Sequence, residues 1–275
     1  MIAYPCAKIN LGLNIVGVRP DGYHDLETVF YPIAIHDELR IEVAAGDVAD
    51  AKEKRCVLTV NGDYDVGSSR DNLVVKAYRA LATDYALPPV SIWLRKRIPV
   101  QAGMGGGSSD CSFTLRMLDT MFHLGIGDGC LRRYAASLGA DCPFFIDPKP
   151  CYAEGTGDRM TPLSVDLSRY KIAVVKPQVA VSTRQAFAGV TVGKPLQCCR
   201  DIVMQSVETW RGSLRNDFET SVFAIHPELD TIKSHLYDMG AIYASMSGSG
   251  SALYGIFRDT PNVASAFPDC FTAVV

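Results

Sequence analysis

A short segment dense in glycine restricts most strongly what this chain can fold into. It runs from Ala102 to Ser109 and carries four glycines followed by two serines. Glycine adopts backbone dihedral angles that a side chain would forbid, and it lets a ligand approach the main chain closely. A strand pattern over 90–94 precedes the segment, and apolar residues over 113–121 follow it at helical spacing. The sequence therefore predicts a strand, a glycine-rich loop and a helix that begins around Ser109.

The start of such a helix can bind an anion. Its first N–H groups have no partner within the helix, and the helix dipole adds positive potential there. A Walker A loop does not fit, because no lysine precedes the serines. A dinucleotide fingerprint does not fit either, because the glycines are consecutive and lie a third of the way along the chain. The segment is therefore either a flexible turn capped by serine or a cradle for a di- or triphosphate.

Composition excludes several classes of protein. The chain has 275 residues, of which 48% are hydrophobic and 21% charged, as in ordinary globular proteins. A net charge of -3 and a pI near 6.0 argue against binding to nucleic acid or to an anionic membrane. The nine cysteines are odd in number, and only Cys198 and Cys199 are close together, without zinc-type spacing. Together with an N-terminal segment unlike a secretory signal, they predict reduced thiols and a cytoplasmic protein.

The first long segment, Lys8 to Val18, alternates apolar and polar side chains and predicts a half-buried strand. Lys8 and Asn10 share one face of this strand, opposite the apolar residues. Taken alone, the pattern favours a position in solvent for both. The segment 19–22 has the proline and glycine of a turn, and 152–160 predicts a further, glycine-bearing strand.

Later segments define the fold class. Asp71 is predicted to cap a helix over 73–81, and strands and helices interleave without a steady βαβ rhythm. The fold class is therefore α+β, and a break in pattern near 161–169 predicts a domain boundary. Asp141 follows a predicted helix end at Gly139 in apolar surroundings, where it is either a cap or a functional acid. Segments 47–55 and 189–211 carry no interpretable motif.

Several motifs, in order along the chain, resemble one family. The segment 99–109 resembles the phosphate-binding loop of the GHMP kinases, with Met104 where the family commonly has leucine. The segment 139–145 resembles the family's G-A-D-x-P-F-F motif, and 245–252 resembles its third, glycine-containing motif. The opening segment, through the D-G-Y-H turn, resembles the diphosphocytidyl-methylerythritol kinases within that family.

The resemblance implies roles for individual residues. Lys8 would lie beside the acceptor hydroxyl and stabilise charge on the transferred phosphoryl group, and Asp141 would be the catalytic carboxylate that accepts the proton. Asn72 and Lys96 would contact adenosine. The implied substrate-binding residues are Asn10, Tyr23, His24, Thr183 and Phe187. The implied ATP-binding loop consists of Pro99, Val100, Gln101, Ala102, Gly103, Met104, Gly105, Gly106, Gly107, Ser108 and Ser109.

The resemblance also implies a fold and a reaction. The expected fold is the two-domain α+β GHMP fold, with a ribosomal-protein-like domain over 1–161 and a ferredoxin-like domain over 162–275. The expected reaction transfers a phosphoryl group from ATP to the 2-hydroxyl of 4-diphosphocytidyl-2-C-methyl-D-erythritol, with Mg²⁺ as counter-ion and Ser108 as a candidate ligand for it. We expect a small-molecule substrate, no nucleic acid or membrane partner, and either a monomer or a homodimer.

Three alternatives remain at this point. The chain could act on another alcohol, as mevalonate or homoserine kinases do, although the D-G-Y-H turn and the segment 183–187 favour the cytidylyl substrate. It could be a non-catalytic nucleotide sensor of the same fold, although such a sensor has no need of both Lys8 and Asp141. An unrelated nucleotide-binding scaffold would require all these ordered motif matches to be accidental.

Overall fold

The computed structural model describes residues 1–44, 55–64 and 71–275. Of the segment 47–55, to which no role was assigned, only Arg55 is among them. The strands are β1 (Ile2–Ala3), β2 (Cys6–Val18), β3 (His24–His36), β4 (Glu38–Val43), β5 (Cys56–Gly62), β6 (Val90–Lys96), β7 (Cys151–Gly155), β8 (Arg159–Pro162), β9 (Lys171–Lys176), β10 (Tyr243–Met246), β11 (Leu253–Phe257) and β12 (Phe271–Val274). The helices are α1 (Leu73–Asp84), α2 (Gly106–Met121), α3 (Asp128–Leu138), α4 (Thr183–Ala188), α5 (Cys199–Val203), α6 (Phe218–Ile225), α7 (Pro227–Asp238) and α8 (Val263–Ala266).

The chain forms two compact units, and neither is one continuous segment. The first contains residues 1–7, 34–100 and 105–148, and the second contains 8–33, 101–104 and 149–275. Both β2 and β3 therefore begin in one unit and end in the other. The division of function at residue 161 stays a prediction. No helix in the described part of the chain is long and apolar enough to cross a membrane.

The first unit packs three helices on one sheet. The sheet has the strand order β1-β4-β6-β5, and α1 connects the parallel pair β5 and β6. Alternate residues of β4 and β6 are buried, as period-two patterning requires. They share a core with the apolar faces of α1, α2 and α3. The principal members of this core are Leu39, Ile41, Val74, Tyr78, Leu81, Ile92, Leu94, Leu115, Leu118, Leu131 and Ala135.

The second unit contains two sheets. One has the order β10-β11-β9-β12 with every neighbouring pair antiparallel. Its chain order is strand, helices, two strands, helix, strand, which is the ferredoxin-like arrangement that the resemblance implies for the C-terminal half. The other sheet has the order β2-β3-β7-β8. The core of this unit includes Leu13 and Ile15 of β2 together with residues of β9, α6 and α7.

Most predicted elements are confirmed, but two predictions differ from the structure. The strand over Lys8 to Val18 is present, yet Lys8 and Asn10 are only 3% and 2% exposed, so the interpretation that both face solvent is wrong. Their polar groups are instead hydrogen-bonded inside the unit. The single strand predicted over 152–160 is the hairpin β7–β8, because Gly155 and Gly157 adopt positive φ angles of 71° and 95° and reverse the chain.

The helix boundaries reflect local capping. Asn72, and not Asp71, caps α1, because its side chain accepts a hydrogen bond from the N–H of Val74. The helix predicted around Ser109 begins three residues earlier, at Gly106. At the end of α7, the N–H of Gly240 binds the carbonyl of Tyr237 and the N–H of Ala241 binds that of Leu236, which forms a Schellman motif.

Candidate functional site

The start of α2 has the form of an anion-binding helix terminus. Gly105 precedes the helix in the left-handed region with a φ of 71°, which favours glycine. Among the described residues, no side chain caps α2 and no acidic residue occupies its first turn. The first N–H groups of the helix and the positive end of its dipole are therefore available to a negatively charged ligand.

Gly106 lies directly on the strand that precedes the loop. A Cβ atom at this position would lie 2.9 Å from Cγ2 of Ile98 and 3.2 Å from Nζ of Lys96. Real Cβ atoms do not approach other heavy atoms as closely as 2.9 Å, so only glycine fits without a shift of Ile98. The close contact brings the first turn of α2 against the buried end of the Lys96 side chain.

Lys96 forms a buried ion cluster with Asp37 and Asp110. Its ammonium group lies 2.8 Å from Oδ2 of Asp110 and also pairs with Oδ2 of Asp37. Oδ1 of Asp37 accepts hydrogen bonds from the N–H groups of Arg97 and Ile98 at 2.6 and 2.9 Å. All three side chains of the cluster are at least 97% buried. The cluster therefore joins the end of β3, the end of β6 and the first turns of α2.

The cluster has one cation for two carboxyl groups, and this governs its ionisation. Burial raises the pKa of Asp110 to about 7, against the lowering effect of Lys96. Burial acting alone would lower the pKa of Lys96, but the attraction of Asp110 and Asp37 outweighs it and raises that pKa. Oδ1 of Asp110 and Oγ of Ser109 are the two buried side-chain atoms in the described ranges without a hydrogen-bond partner.

Asp141 lies on a segment that packs against α2 within the same unit. It occupies the N-cap position of a 3₁₀ helix, Cys142–Ile146, but in this described segment its side chain makes no capping hydrogen bond. The next residue, Cys142, hydrogen-bonds through its thiol with Ser108 and accepts a 2.5 Å hydrogen bond from Ser112 at its carbonyl. The structure thus places the half-buried Asp141 beside the first two turns of α2.

The preceding part of the loop, residues 101–104, belongs to the second unit and is bound there by Lys8. The ammonium group of Lys8 donates to the carbonyl of Gly103 at 2.8 Å and to Oδ1 of Asn10 at 2.5 Å. It also lies 5.1 Å from the ring centroid of Phe30, within range of a cation–π interaction. The backbone N–H of Lys8 donates to the carbonyl of Met104.

The glycine turn between β10 and β11 packs on the same segment. Ser247 donates to the carbonyl of Gly103 at 2.9 Å and accepts a hydrogen bond from the N–H of Asn10 at 3.2 Å. Gly103 has a φ of 70°, and a Cβ atom there would overlap the carbonyl oxygen of Ser247. Asn216 also stabilises the turn, because its amide nitrogen donates hydrogen bonds to the carbonyls of Met246 and Gly248 at 2.8 Å each.

A second group of implied site residues forms an aromatic contact. The rings of His24 and Phe187 are stacked, with centroids 4.6 Å apart and planes 28° apart. The other side of Phe187 makes an edge contact of 4.8 Å with Phe218. Tyr23, which directly precedes His24, is 66% exposed, and Thr183 is exposed one helical turn before Phe187. The structure therefore brings together residues that are about 160 positions apart in the sequence.

The two residues assigned to adenosine have other contacts. Oδ1 of Asn72 accepts the capping hydrogen bond of α1 at 2.9 Å, and Lys96 is buried in the ion cluster. Their roles toward ATP stay predictions. Sequence reasoning missed Asp37, Asp110 and Ser247 as site residues. For Asp110 the signal was its place directly after the two serines of the loop, and Ser247 lay within the third motif.

The oxygen donors next to the loop fit a magnesium ion whose other ligands come mainly from phosphate groups and water. Mg²⁺ takes oxygen ligands and keeps several waters in most nucleotide sites. Ser108 offers a half-buried hydroxyl in the first turn of α2, and Asp141 offers a carboxylate on the adjoining segment. No cluster of three carboxylates surrounds these residues in the part of the chain that the structure describes.

Two family models match the chain. The GHMP kinase N-terminal domain matches residues 72–147, and the GHMP kinase C-terminal domain matches residues 201–272.

Curated relatives cover almost the whole chain. A 4-diphosphocytidyl-2-C-methyl-D-erythritol kinase of Bacteroides fragilis is 49% identical over 257 residues, which is 94% of this chain and 92% of that protein. One of Parabacteroides distasonis is 45% identical over 273 residues, 98% of this chain and 97% of the relative.

Solved structures give the same result for the fold. A crystal structure of 4-(cytidine 5'-diphospho)-2C-methyl-D-erythritol kinase superimposes with a TM-score of 0.77 at 28% identity, covering 100% of this chain and 98% of the other. The Methanococcus jannaschii mevalonate kinase superimposes with a TM-score of 0.67 at 12% identity, covering 100% and 97%. The second similarity concerns the fold alone. The expected two-domain α+β fold is confirmed.

Proposed function

Because the chain belongs to the GHMP kinase family, we propose that it transfers the γ-phosphoryl group of ATP to the 2-hydroxyl of 4-diphosphocytidyl-2-C-methyl-D-erythritol. Curated relatives that carry this substrate in their name are 40–49% identical and match at least 94% of the chain. Mevalonate and homoserine kinases match it only in fold, at 11–15% identity. The products are ADP and the 2-phosphate of the substrate.

The observation that carries the proposal is the glycine-rich loop and the contacts made on each half of it. Residues 105–109 open α2 with the N–H groups of its first turn directed out of the helix. Residues 101–104 are bound by the ammonium group of Lys8 and by Ser247. The helix start already presents N–H groups to a phosphate oxygen, so little ordering of this half of the loop is required when the nucleotide arrives.

Phosphoryl transfer demands little covalent chemistry from a protein. The enzyme must align the acceptor hydroxyl, accept its proton and stabilise charge on the phosphoryl oxygens. We assign proton acceptance to Asp141 and charge stabilisation to Lys8, whose position is fixed by Asn10 and Gly103. The N–H groups at the start of α2 bind phosphate oxygens. Magnesium, when bound with ATP, neutralises charge on the phosphates, and Ser108 is the residue that we assign to hold it.

The aromatic pair supports the cytidylyl part of the substrate. A pyrimidine ring is flat and has hydrogen-bonding edges, so it is bound well by a stacked ring together with an imidazole. His24 and Phe187 provide both, and the exposed Tyr23 directly precedes His24 in the sequence. Thr183 and Asn10 complete the proposed substrate contacts. The proposal places this protein in the cytoplasm, in keeping with nine free thiols, and retains the predicted division of function at residue 161.

A coupled ADP-release assay tests the substrate directly. The purified full chain is supplied with ATP, Mg²⁺ and either the cytidylyl alcohol, mevalonate or homoserine at equal concentrations. We expect turnover of about 1–100 per second with the cytidylyl alcohol only. Turnover with mevalonate or homoserine instead would assign a different alcohol. ATP binding without turnover of any of the three would indicate the non-catalytic sensor.

The variant Asp141→Asn tests the assigned base. The amide keeps the size of the side chain but cannot accept the proton, so we expect turnover to fall roughly a hundredfold to ten-thousandfold. ATP affinity, measured by calorimetry, should stay near that of the unmodified protein. Asp147→Asn, a nearby change of the same kind, serves as the control. Near-normal turnover of Asp141→Asn would remove Asp141 from the mechanism.

A further inference from the structure

Three side chains of the second unit, none of them used by the proposed reaction, bring metal-binding atoms together. Glu27, Cys198 and Cys199 each contribute one such atom, and these atoms all lie within 4.8 Å of one another. Glu27 and Cys199 are buried, at 9% and 0% exposure, whereas Cys198 is half-buried. No other cluster of this kind occurs in residues 1–44, 55–64 and 71–275. The cluster lies deep in the unit but can be reached from the side of Cys198.

Strand pairing and hydrogen bonds hold Glu27 in the cluster. Glu27 is on β3 and pairs with Glu154 of β7, so Tyr152 is its diagonal neighbour on the same face of the sheet. The phenol of Tyr152 donates to Oε2 of Glu27 at 2.9 Å, and the N–H of Cys199 donates to Oε1 at 3.3 Å. A hydrogen bond that orients a ligating carboxylate is typical of the outer shell of metal sites.

The two cysteines face the same side because the backbone changes direction between them. Cys198 is the extended N-cap of α5, with a φ of -62° and a ψ of 140°, and Cys199 is the first helical residue. In a strand, consecutive side chains would point to opposite faces. At this helix start, both sulfur atoms lie close to the carboxylate of Glu27.

Glu27 carries the one carboxyl group of the cluster, and its side chain is buried. A buried carboxylate is costly unless it is paired or binds a metal. In the described part of the chain, no lysine or arginine forms a salt bridge with Glu27. Arg200, the cation nearest in sequence to the two cysteines, lies over the ring of Tyr152 at 5.2 Å and pairs with Asp201. A divalent ion bound here would coordinate the carboxylate directly, and the two protons that it displaces from the thiols would leave the net charge of the cluster unchanged.

We propose that Glu27, Cys198 and Cys199 form a binding site for a thiophilic divalent cation of the zinc class. Two sulfur ligands and one carboxylate suit Zn²⁺, and the fourth position of a tetrahedral site would be taken by water. Zinc bonds of about 2.0–2.3 Å separate ligand atoms by about 3.3–3.8 Å. The observed separations, at most 4.8 Å, therefore need a contraction of no more than about 1.0–1.5 Å.

Binding is a coordination step and involves no oxidation. Each thiol that binds the metal releases its proton to solvent, so a bound ion that takes both sulfurs displaces two protons. The ion would fasten the segment 198–199 to β3 and, through Tyr152, to β7. This role is a structural clip and takes no part in the proposed phosphoryl transfer. The alternative to be tested is that no metal binds and that the hydrogen bonds of Glu27 alone hold the segment 198–199.

Cobalt provides a direct spectroscopic test. The full chain is reduced, freed of metal with a chelator and titrated with Co²⁺, and then with Zn²⁺ in competition. We expect one equivalent of Co²⁺ to give thiolate-to-metal charge-transfer absorption together with the visible bands of a tetrahedral ion. Zn²⁺ should displace it at one equivalent and raise the melting temperature. A titration without thiolate absorption would overturn the proposal.

Matched variants assign the ligands. Cys198→Ser, Cys199→Ser and Glu27→Gln should each weaken Co²⁺ binding, by about a hundredfold or more for the cysteines, whereas Tyr152→Phe should weaken it by about tenfold to a hundredfold at most. Cys270→Ser, at another half-buried cysteine, is the control and should bind normally. Circular dichroism checks that each variant is folded. If a serine variant does not fold, Glu27→Gln still tests the site, because it keeps both thiols. Binding that survives in Cys199→Ser, or is lost in Cys270→Ser, would refute the assignment.

Discussion

Replacement of Lys96 by methionine distinguishes two roles for this residue. Methionine keeps much of the length of the side chain but removes its charge. The change leaves Asp37 and Asp110 facing each other in the first unit without the cation that now lies 2.8 Å from Asp110. All three groups are almost completely excluded from solvent, so water cannot replace the lost interaction.

The magnitude follows from the burial of the cluster. Removing one partner of a buried ion pair destabilises a protein by roughly 3–5 kcal/mol, because an uncompensated buried charge remains. A change of 1 kcal/mol shifts the melting temperature by about 2–4 °C in a domain of 150–250 residues. We therefore expect Lys96→Met to lower the melting temperature by about 6–20 °C. The same change at Lys76, which is 44% exposed beside Asp71, should cost less than about 1 kcal/mol.

The assay combines thermal unfolding with ATP binding. If the ion cluster positions the first turns of α2, Lys96→Met should lose stability, and its ATP affinity should fall because the helix start shifts. If Lys96 is instead an adenosine contact, as the resemblance implies, ATP affinity should fall while the melting temperature stays near normal. A melting temperature within about 2 °C of that of Lys76→Met would refute the structural role derived from the cluster.

Three further changes test other parts of the site. The pKa of Asp110 in the folded protein is raised to about 7 from 3.8, so the stability that its proton contributes is present at low pH and is lost as pH rises through about 7. In urea unfolding between pH 5 and 8, Asp110→Asn should show a smaller loss of stability than the unmodified protein. Parallel stability profiles for the two proteins would contradict this prediction. Ser247→Ala leaves the buried N–H of Asn10 unpaired and should cost about 1–3 kcal/mol in urea unfolding, whereas an unchanged midpoint would show that the hydroxyl is dispensable. Phe187→Ala removes the ring stacked on His24 and should raise KM for the cytidylyl substrate at least tenfold more than KM for ATP; equal increases would place the base elsewhere.

Local chemistry allowed much of the fold to be predicted. The strand pattern over 90–94 marked β6, the glycine-rich loop marked the start of α2 to within three residues, and Gly139 marked the end of α3. These signals work because helix ends and turns depend on backbone groups close in sequence. The hairpin over 152–160 was missed, since two glycines inside a short segment are as compatible with one bulged strand as with a turn.

The environment of the site depended on distant contacts and was harder to predict. The pattern of β2 places Lys8 and Asn10 on a polar face, which in most strands faces water. Here Ser247, 237 residues after Asn10, approaches that face, and the carbonyl of Gly103 receives the ammonium group of Lys8. Asp37 forms an ion pair with Lys96, which lies 59 residues later in the sequence. No local pattern encodes such pairs, so the sequence indicated the residue types of the site but not their partners.

The passage of β2 and β3 through both units has a consequence for how the chain folds during synthesis. Leu13 and Ile15 are made early, but the apolar residues that cover them belong to β9, α6, α7 and β11, more than 150 positions later. The first unit, in contrast, can complete its sheet and helices once residue 148 has left the ribosome. Leu13 and Ile15 therefore stay uncovered while about half of the protein is translated, and apolar surface exposed in this way is prone to aggregation before folding is complete.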